Sequence, residues 1–393
     1  MTSGKKANKI CEILRIETGS SRSYKAHKHS LDNTERPTID YVNSEIVWKK
    51  RAESLFHTNH VDLRGKCQQV AMRGRQILTY FLDGSRRTYK VDDQAYYDGV
   101  RTPIYPIVAG QIGVGCCVRI NKEVGVLKDT FQPEIVVCVP EVANADRNPG
   151  FVESVTQSLN ESESLMRLGI KVGKILIYKI SKDKDKKVDY LDRGIACIQD
   201  RMIENEKALV EQLVREEKLG QDNYLIKDGS LEYKPTSKDK KDKKAYQTFK
   251  NNYSWVLGVS KNFNPESCVD NNGKPNPGFI ADLPLYHRTP VACYKNEYLG
   301  DIEFAVWYIR IRAQDKTRTP FDGILKVEKI LASADEVIDS ELADLLSAHL
   351  INERMPTCYG SDFRWANHLY PIYLTETFVK SRYLSTESFL SLF

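Results

Sequence analysis

The chain has 393 residues, of which 41% are hydrophobic and 10% aromatic, so it can bury a large core. This composition excludes a fully disordered or fibrous protein. Lysine and arginine number 58, and aspartate and glutamate 53, which gives a formal net charge of +5. Such a small excess does not by itself indicate a nucleic-acid partner, because the distribution of the charges matters more than their sum. The length predicts two or three domains, or one large domain with insertions.

The nine cysteines are scattered, and no two of them form a C-x-x-C pair. Several lie in apolar runs, which is typical of buried thiols in a reducing compartment. A structural zinc site needs paired short spacings that this sequence lacks. The first residues contain no apolar core of a signal peptide, and no run approaches the roughly 18 apolar residues of a membrane span. We therefore expect a soluble, cytoplasmic protein without membrane contact.

Residues 1–74 are predicted to form an N-terminal extension that is partly helical. Residues 1–45 are polar and basic. The stretch 39–79 is expected to be largely helical, because apolar residues such as Val47 and Val70 recur among charged ones.

From residue 78 the hydrophobic pattern becomes typical of strands. Three runs rich in Val, Ile, Tyr and Phe predict neighbouring strands of one sheet. They span 78–91, 101–120 and 131–141. A short helix is expected at 151–166 and a further strand at 174–180. The lysine run 181–187 is predicted to be a solvated loop.

The stretch 192–218 predicts a long helix, since it is rich in helix-forming residues and Gly220 follows it. At 100° per residue its apolar stripe comprises Ile195, Ile198, Met202, Leu209 and Leu213. Glu206 falls inside this stripe, whereas Glu204 points to the opposite face. A buried glutamate on an apolar face indicates a functional group, although a residue at the edge of the stripe could also extend its carboxylate into solvent.

The second half of the chain continues the alternation of strands and helices. A strand is predicted to end at Asp228, and a second lysine run follows at 234–244. Further predicted strands span 252–263, 289–295, 303–312 and 323–331. Helices are expected at 334–352 and 375–391.

Two Asp-Gly-Ser motifs, at Asp83 and Asp228, each follow an apolar run. Taken singly, Asp-Gly after a strand favours a hairpin turn. Together with Glu206 on the intervening helix, the pair instead predicts three clustered carboxylates.

Clustered carboxylates repel one another unless a cation neutralises them, and Mg²⁺ or Mn²⁺ held by oxygen ligands is the usual solution. Two such ions about 4 Å apart can activate water and stabilise the leaving oxygen in phosphodiester hydrolysis. That chemistry requires carboxylates and no nucleophilic serine, so the serine of each motif is interpreted as a turn residue.

Other motifs carry weaker signals. The glycines of AGQIGVG imitate a nucleotide-binding loop, but a strand-like run follows where a helix is required. The pairs His27/His29 and His57/His60 could bind metal, although exposed histidines are the more common explanation. The lysine runs suit either a phosphate-lined groove or solvated loops.

The order of these motifs resembles that of the NurA nuclease family. The shared features are a strand with DGS, sheet strands, a helix with an inward glutamate, a strand with DGSL, then VLGVSK and HLYPIYLTETFVK. The resemblance covers 75–393, with insertions near 141–190 and 232–250. It implies an α/β protein with an RNase H-like mixed sheet flanked by helices.

The resemblance also implies an activity and partners. Family members are Mn²⁺-dependent DNA nucleases, exonucleases or endonucleases, that form homodimers and work with a HerA-type hexameric ATPase. These properties lead us to expect a role in DNA end processing during repair or in antiphage defence.

By position, Asp83 and Asp228 match the catalytic aspartates, and Glu206 matches the helix glutamate, with Glu204 as the alternative. The resemblance makes these three residues ligands of Mn²⁺ or Mg²⁺. It further implies site roles for His368 and for Glu376, which is placed at a helix start. Lys261 is expected beside the scissile phosphate.

Two other functions remain open. The chain could be a non-catalytic nucleic-acid-binding or scaffold subunit with a degenerate RNase H-like fold. An RNA-directed nuclease of the broader Piwi type is a third hypothesis, but 393 residues contain no recognisable guide-binding half.

Overall fold

A computed structural model describes most of the chain. The described residues are 9–24, 28–32, 46–49, 53, 59–180, 189–233, 243–270, 274–296, 299–333, 336–357 and 363–393. The lysine run 181–187, most of the run 234–244, His27 and His57 lie outside them.

The described residues form fifteen strands and ten α-helices. The strands are β1 Arg22–Ser23, β2 His29–Ser30, β3 Ile46–Lys49, β4 Val61–Asp62, β5 Leu78–Ala95, β6 Ile104–Ile120, β7 Glu123–Val126, β8 Gln132–Pro140, β9 Val172–Tyr178, β10 Tyr224–Asp228, β11 Val256–Ser260, β12 His287–Arg288, β13 Ala292–Asn296, β14 Glu303–Arg310 and β15 Ile324–Ile330. The helices are α1 Ile10–Glu17, α2 Arg64–Arg73, α3 Phe151–Asn160, α4 Glu163–Leu168, α5 Tyr190–Arg215, α6 Lys243–Asn252, α7 Pro277–Ala281, α8 Ser340–Asn352, α9 Tyr370–Ser381 and α10 Thr386–Ser391.

All fifteen strands belong to one mixed sheet, and its main path runs β3-β13-β14-β15-β11-β10-β5-β6-β8-β9. At its centre β5, β6 and β8 are antiparallel neighbours, whereas β10 and β11 run parallel to β5. Helices flank this sheet. The predicted α/β class is therefore confirmed at the level of a large mixed sheet flanked by helices.

The two faces of the sheet are covered by different helices. Successive residues of a strand point to opposite faces, so Leu82 packs with α5 in one buried cluster while Phe81 packs in another with α8 and the start of α9. We call these the α5 face and the α9 face. Asp83 shares the face of Phe81, and Gly84 shares the face of Leu82.

Glycines in β6 let a helix approach the sheet closely. A Cβ atom on Gly113 would lie 2.6 Å from Cγ1 of Val379 in α9, and one on Gly110 would lie 2.9 Å from Cγ2 of Ile198 in α5. The AGQIGVG motif is thus the middle of a strand with helices packed on both of its faces, as the rejection of a nucleotide loop predicted.

Within the described part of 39–79, the predicted helix is confirmed only over Arg64–Arg73 and is wrong elsewhere. The described part contains β3 and β4, which pair with β13 and β12, and only α2 is helical. Strand pairing with the main sheet outweighs the weak local helical periodicity here, and Gly74, with φ of 66°, ends α2.

Two other helix predictions need correction. The helix expected at 151–166 is divided into α3 and α4. The helix expected at 375–391 begins earlier and is divided into α9 and α10, because Pro371 occupies the first turn of α9, where proline is favoured, and Ser385 caps α10.

Candidate active site

Asp83 lies inside β5 and is not part of a turn. The strand continues from Leu78 to Ala95, and Asp83 pairs with Gly115 of β6. The hairpin-turn interpretation of the first Asp-Gly is therefore wrong. The side chain is buried, with 5% relative exposure, and no group in the described part of the chain forms a hydrogen bond or an ion pair with its carboxyl group.

Asp228 is the last residue of β10, directly beside Asp83. The preceding pair in the register joins Lys227 to Leu82, so the two aspartates leave neighbouring parallel strands at the same end. Gly229, with φ of 89°, then redirects the chain, a conformation that suits glycine. The second Asp-Gly thus combines a strand end with a turn.

Lys261 follows β11, the next parallel strand, and points into the same space. Its Nζ lies 2.8 Å from Oδ2 of Asp228 and 3.1 Å from Nε2 of His368. An ammonium group only donates hydrogen bonds, so Nε2 of His368 is the acceptor of this one. Lys261 therefore connects the strand ends to the segment before α9.

Glu376 lies in the second turn of α9, not at the helix start that the sequence predicted. Its Oε2 is buried and accepts no hydrogen bond from the residues that the structure describes. The nearest charged or titratable neighbours are Nε2 of His368, at 3.7 Å, and the ammonium of Lys380, which binds Oε1. Because Nε2 presents a lone pair, it offers Oε2 no proton.

Helix α9 is fixed to the sheet beside Asp83. The hydroxyl of Thr375 donates to the Phe81 carbonyl at 3.1 Å, and that of Tyr383 donates to the Ser85 carbonyl at 2.6 Å. These bonds bracket Asp83 on β5. They therefore keep Glu376, which lies in α9, near Asp83 and Asp228.

The charges of the site alter the protonation of its members. Burial, and then the charge of Asp228, raise the pKa of Asp83 well above its usual range. Burial alone would lower the pKa of Lys261, but Asp228 and Asp83 outweigh it, so that pKa is raised. Burial alone would raise the pKa of Glu376, but Lys261 and Lys380 outweigh it, so that pKa is lowered. The cluster thus favours the protonated form of Asp83 and the charged form of Lys261.

Glu206 lies on the opposite face of the sheet from Asp83. As predicted, it belongs to the buried stripe of α5, while Glu204 is exposed and pairs with Arg201. Its carboxylate fills the space above Gly84, where any Cβ would collide with Oε1. Glu206 is therefore separated from Asp83 by the backbone of β5.

Two residues that the sequence analysis missed engage Glu206. Nζ of Lys227 lies 3.2 Å from Oε2, and the hydroxyl of Tyr233 donates to the same oxygen at 3.0 Å. Burial raises the pKa of Glu206 although Lys227 and Tyr233 act in the opposite direction. Side chains alternate between the two faces of a strand, so the sequence YLIKD already places Lys227 on the face opposite to that of Asp228. This alternation could have identified Lys227 as a partner of Glu206.

The structure therefore divides the predicted residues into two groups. Asp83, Asp228, Lys261, His368 and Glu376 come together on the α9 face. Glu206 forms a separate group with Lys227 and Tyr233 on the α5 face.

The α9-face group has the donors that a hard divalent cation prefers, namely carboxylate oxygens. The carboxyl group of Asp83 and Oε2 of Glu376 accept no hydrogen bond from any described residue, and such a cation would satisfy both. Within the residues that the structure describes, however, no three His, Cys, Asp or Glu side chains are already arranged to hold a metal ion. The ammonium of Lys261 lies beside these carboxylates instead.

No protein-family profile matches this chain, and no curated protein is significantly similar to it. Among the described helices, none is long and apolar enough to cross a membrane.

Proposed function

We propose that this protein is a metal-dependent DNA nuclease that hydrolyses phosphodiester bonds at the Asp83–Asp228 site. The observation that carries the proposal is the state of Asp83. It is a buried carboxyl group beside a second carboxylate, with no hydrogen-bond donor among the described residues. A buried carboxyl group without a hydrogen-bond donor destabilises the folded protein. A bound divalent cation would offset this cost, so such a group indicates a metal site.

The central sheet supports an RNase H-like fold. In chain order the five central strands are β5, β6, β8, β10 and β11, and in space they lie in the order β8-β6-β5-β10-β11. The first three are antiparallel, and the last two are parallel to the first. An RNase H-like sheet has this order, and its acidic site lies where the first and fourth strands are adjacent. Asp83 and Asp228 occupy these two strands.

Asp83, Asp228 and Glu376 are the residues that would hold Mn²⁺ or Mg²⁺. The bound ion would supply Lewis-acid activation of the scissile phosphate and its attacking water. Glu206, the third ligand implied by the resemblance, is separated from them by the sheet, so its position favours Glu376 in that role. Lys261 supplies a positive charge for the phosphate oxygens.

The resemblance to the NurA family also leads us to propose partners. A HerA-type hexameric ATPase would deliver DNA to a homodimer of this chain, in end processing during repair or in antiphage defence.

A cleavage assay tests the proposal. Wild-type protein is expected to cut linear, circular or single-stranded DNA with Mn²⁺ and to be inactive with EDTA. Asp228→Asn should reduce the rate about 100-fold or more, because it removes a carboxylate from the metal site. Asp222→Asn is the matched control, since Asp222 is an exposed aspartate just before the same strand and pairs with Arg75.

One observation favours a second candidate, the non-catalytic nucleic-acid-binding or scaffold subunit. The ammonium of Lys261 already pairs with Asp228, as it would in a site that had lost its metal. Under this alternative, Mn²⁺ would give neither cleavage nor thermal stabilisation. An RNA substrate in the same assay distinguishes a nuclease that acts on RNA.

A further inference from the structure

Lys261 is held deep within the carboxylate cluster. Its side chain has 16% relative exposure, and its ammonium contacts both Asp228 and His368. Because the acceptors His368 and Asp228 come from different elements, the ammonium has a defined position. It is not a mobile surface charge.

The other two lysines near the site have different partners. Lys227 forms an ion pair with Glu206 on the α5 face. Lys380 pairs with Glu376 at the rim, where 35% relative exposure leaves its charge screened by solvent. Among the described residues, Lys261 is therefore the half-buried cation at the centre of the α9-face group.

The charges of this group limit the number of metal ions. Asp83, Asp228 and Glu376 bring three negative charges when all are ionised, and Lys261 brings one positive charge. One divalent ion balances the remaining two negative charges. A second divalent ion would leave a buried excess of positive charge, which carries a large desolvation penalty.

We propose that the site takes a single divalent ion, held by Asp83, Asp228 and Glu376, and that the ammonium of Lys261 occupies the position of a second ion. This inference rests on the proposed nuclease function. A lysine ammonium is a compact point charge, so it can neutralise a phosphate oxygen much as a metal ion does.

The hydrolysis that this arrangement supports is balanced. A new P–O bond forms to the water oxygen, and the P–O bond to the leaving sugar oxygen breaks. One water proton reaches that sugar oxygen, and the other is released from the new phosphate hydroxyl or kept there. Lys261 acts on the charge that accumulates on the phosphate oxygens.

Counting bound Mn²⁺ by electron paramagnetic resonance tests the inference independently of activity. Wild-type protein should bind one ion per chain. Lys261→Met should bind two ions and cleave DNA about 100-fold more slowly at low Mn²⁺. Lys295→Met is the matched control, because Lys295 pairs with Asp301 at 3.0 Å on a different strand of the sheet, and it should bind one ion.

The outcomes separate the inference from the proposed function. Two ions in wild-type protein with cleavage would overturn the inference alone, and so would a single ion in a folded Lys261→Met variant. One ion without cleavage of any nucleic acid would contradict the nuclease proposal alone. No ion would overturn both. If Lys261→Met does not fold, Lys261→Gln and the wild-type count keep the test decisive.

Discussion

At the scale of the residue, the buried carboxyl group of Asp83 makes the stability of the folded protein depend on pH. Burial beside Asp228 raises its pKa, so the folded protein holds a proton that the unfolded chain releases near pH 4. The folded state therefore binds more protons, and its stability falls as pH rises from about 4 through the raised pKa. The proposed cation would reverse this loss, because it would favour the ionised carboxylate.

Asp83→Asn should raise the melting temperature of the metal-free protein by a few degrees at pH 7, since the amide requires no ionisation. The difference from wild type should shrink as pH falls toward 4. With Mn²⁺ the difference between the two melting temperatures should shrink or change sign, because the ion should stabilise only wild type. Thermal unfolding between pH 4 and 8 measures this. An equal Mn²⁺ stabilisation of both proteins would contradict the role of Asp83.

At the scale of the element, helix α9 depends on the glycines of β6. Gly113 and Gly115 both leave room for Val379, and α9 carries Glu376 into the site. Any side chain at Gly113 would push the helix away from the sheet. The glycines therefore control how closely the third carboxylate approaches the aspartates.

Gly113→Ala should destabilise the protein by about 1–3 kcal/mol, the usual range for overpacking, and should lower metal affinity. Gly125→Ala is the control, because a Cβ on Gly125 of β7 meets no atom within 4 Å. Urea unfolding and Mn²⁺ titration of both variants measure the effect. Equal free energies of unfolding for the two variants would contradict this prediction, because they would show that α9 can move away from the sheet without destabilising the protein.

Sequence periodicity predicted part of this arrangement and missed the rest for physical reasons. The stripe of α5 correctly predicted a buried Glu206, and the strand ending at Asp228 was also correct. Asp83 and Glu206 lie on different faces because β5 continues through its Asp-Gly-Ser motif. The local sequence does not predict this, since Asp-Gly favours a turn. Strands as short as β3 and β4 form by pairing with distant strands, so local sequence carries little signal for them.

At the scale of the whole molecule, the N-terminal segment is joined to the main sheet by a buried ion pair. Arg288 is fully buried and donates to both oxygens of Glu53, at 2.6 and 2.9 Å. The backbone N–H of Val291 and the hydroxyl of Ser340 also donate to Glu53. With β1 and β2 paired to β5, these bonds join the described residues of the N-terminal segment to the sheet.

Glu53→Gln should destabilise the protein by about 1–3 kcal/mol, because Arg288 loses one charged partner and keeps only Asp344, at 2.6 Å from its Nε. Burial alone would raise the pKa of Glu53, but its bonds to Arg288 and Ser340 lower it to about 2, so this contribution is present above pH 4 and is lost as pH falls toward 2.

Asp62→Asn is the control for this prediction, since the Asp62–Arg64 pair is exposed. It should change stability by less than about 1 kcal/mol. Urea unfolding at neutral pH compares the two variants. Equal effects would show that the N-terminal segment contributes little to the stability of the sheet.

The proposed nuclease activity requires that Asp83 and Asp228 form a divalent-cation site on the α9 face. Anomalous diffraction from crystals grown with Mn²⁺ tests it most directly, because it locates the ion and its ligands together. We predict one Mn²⁺ bound by the carboxylates of Asp83 and Asp228, with the ammonium of Lys261 still in the cluster. An absence of Mn²⁺ from these two carboxylates at saturating concentration would contradict the claim.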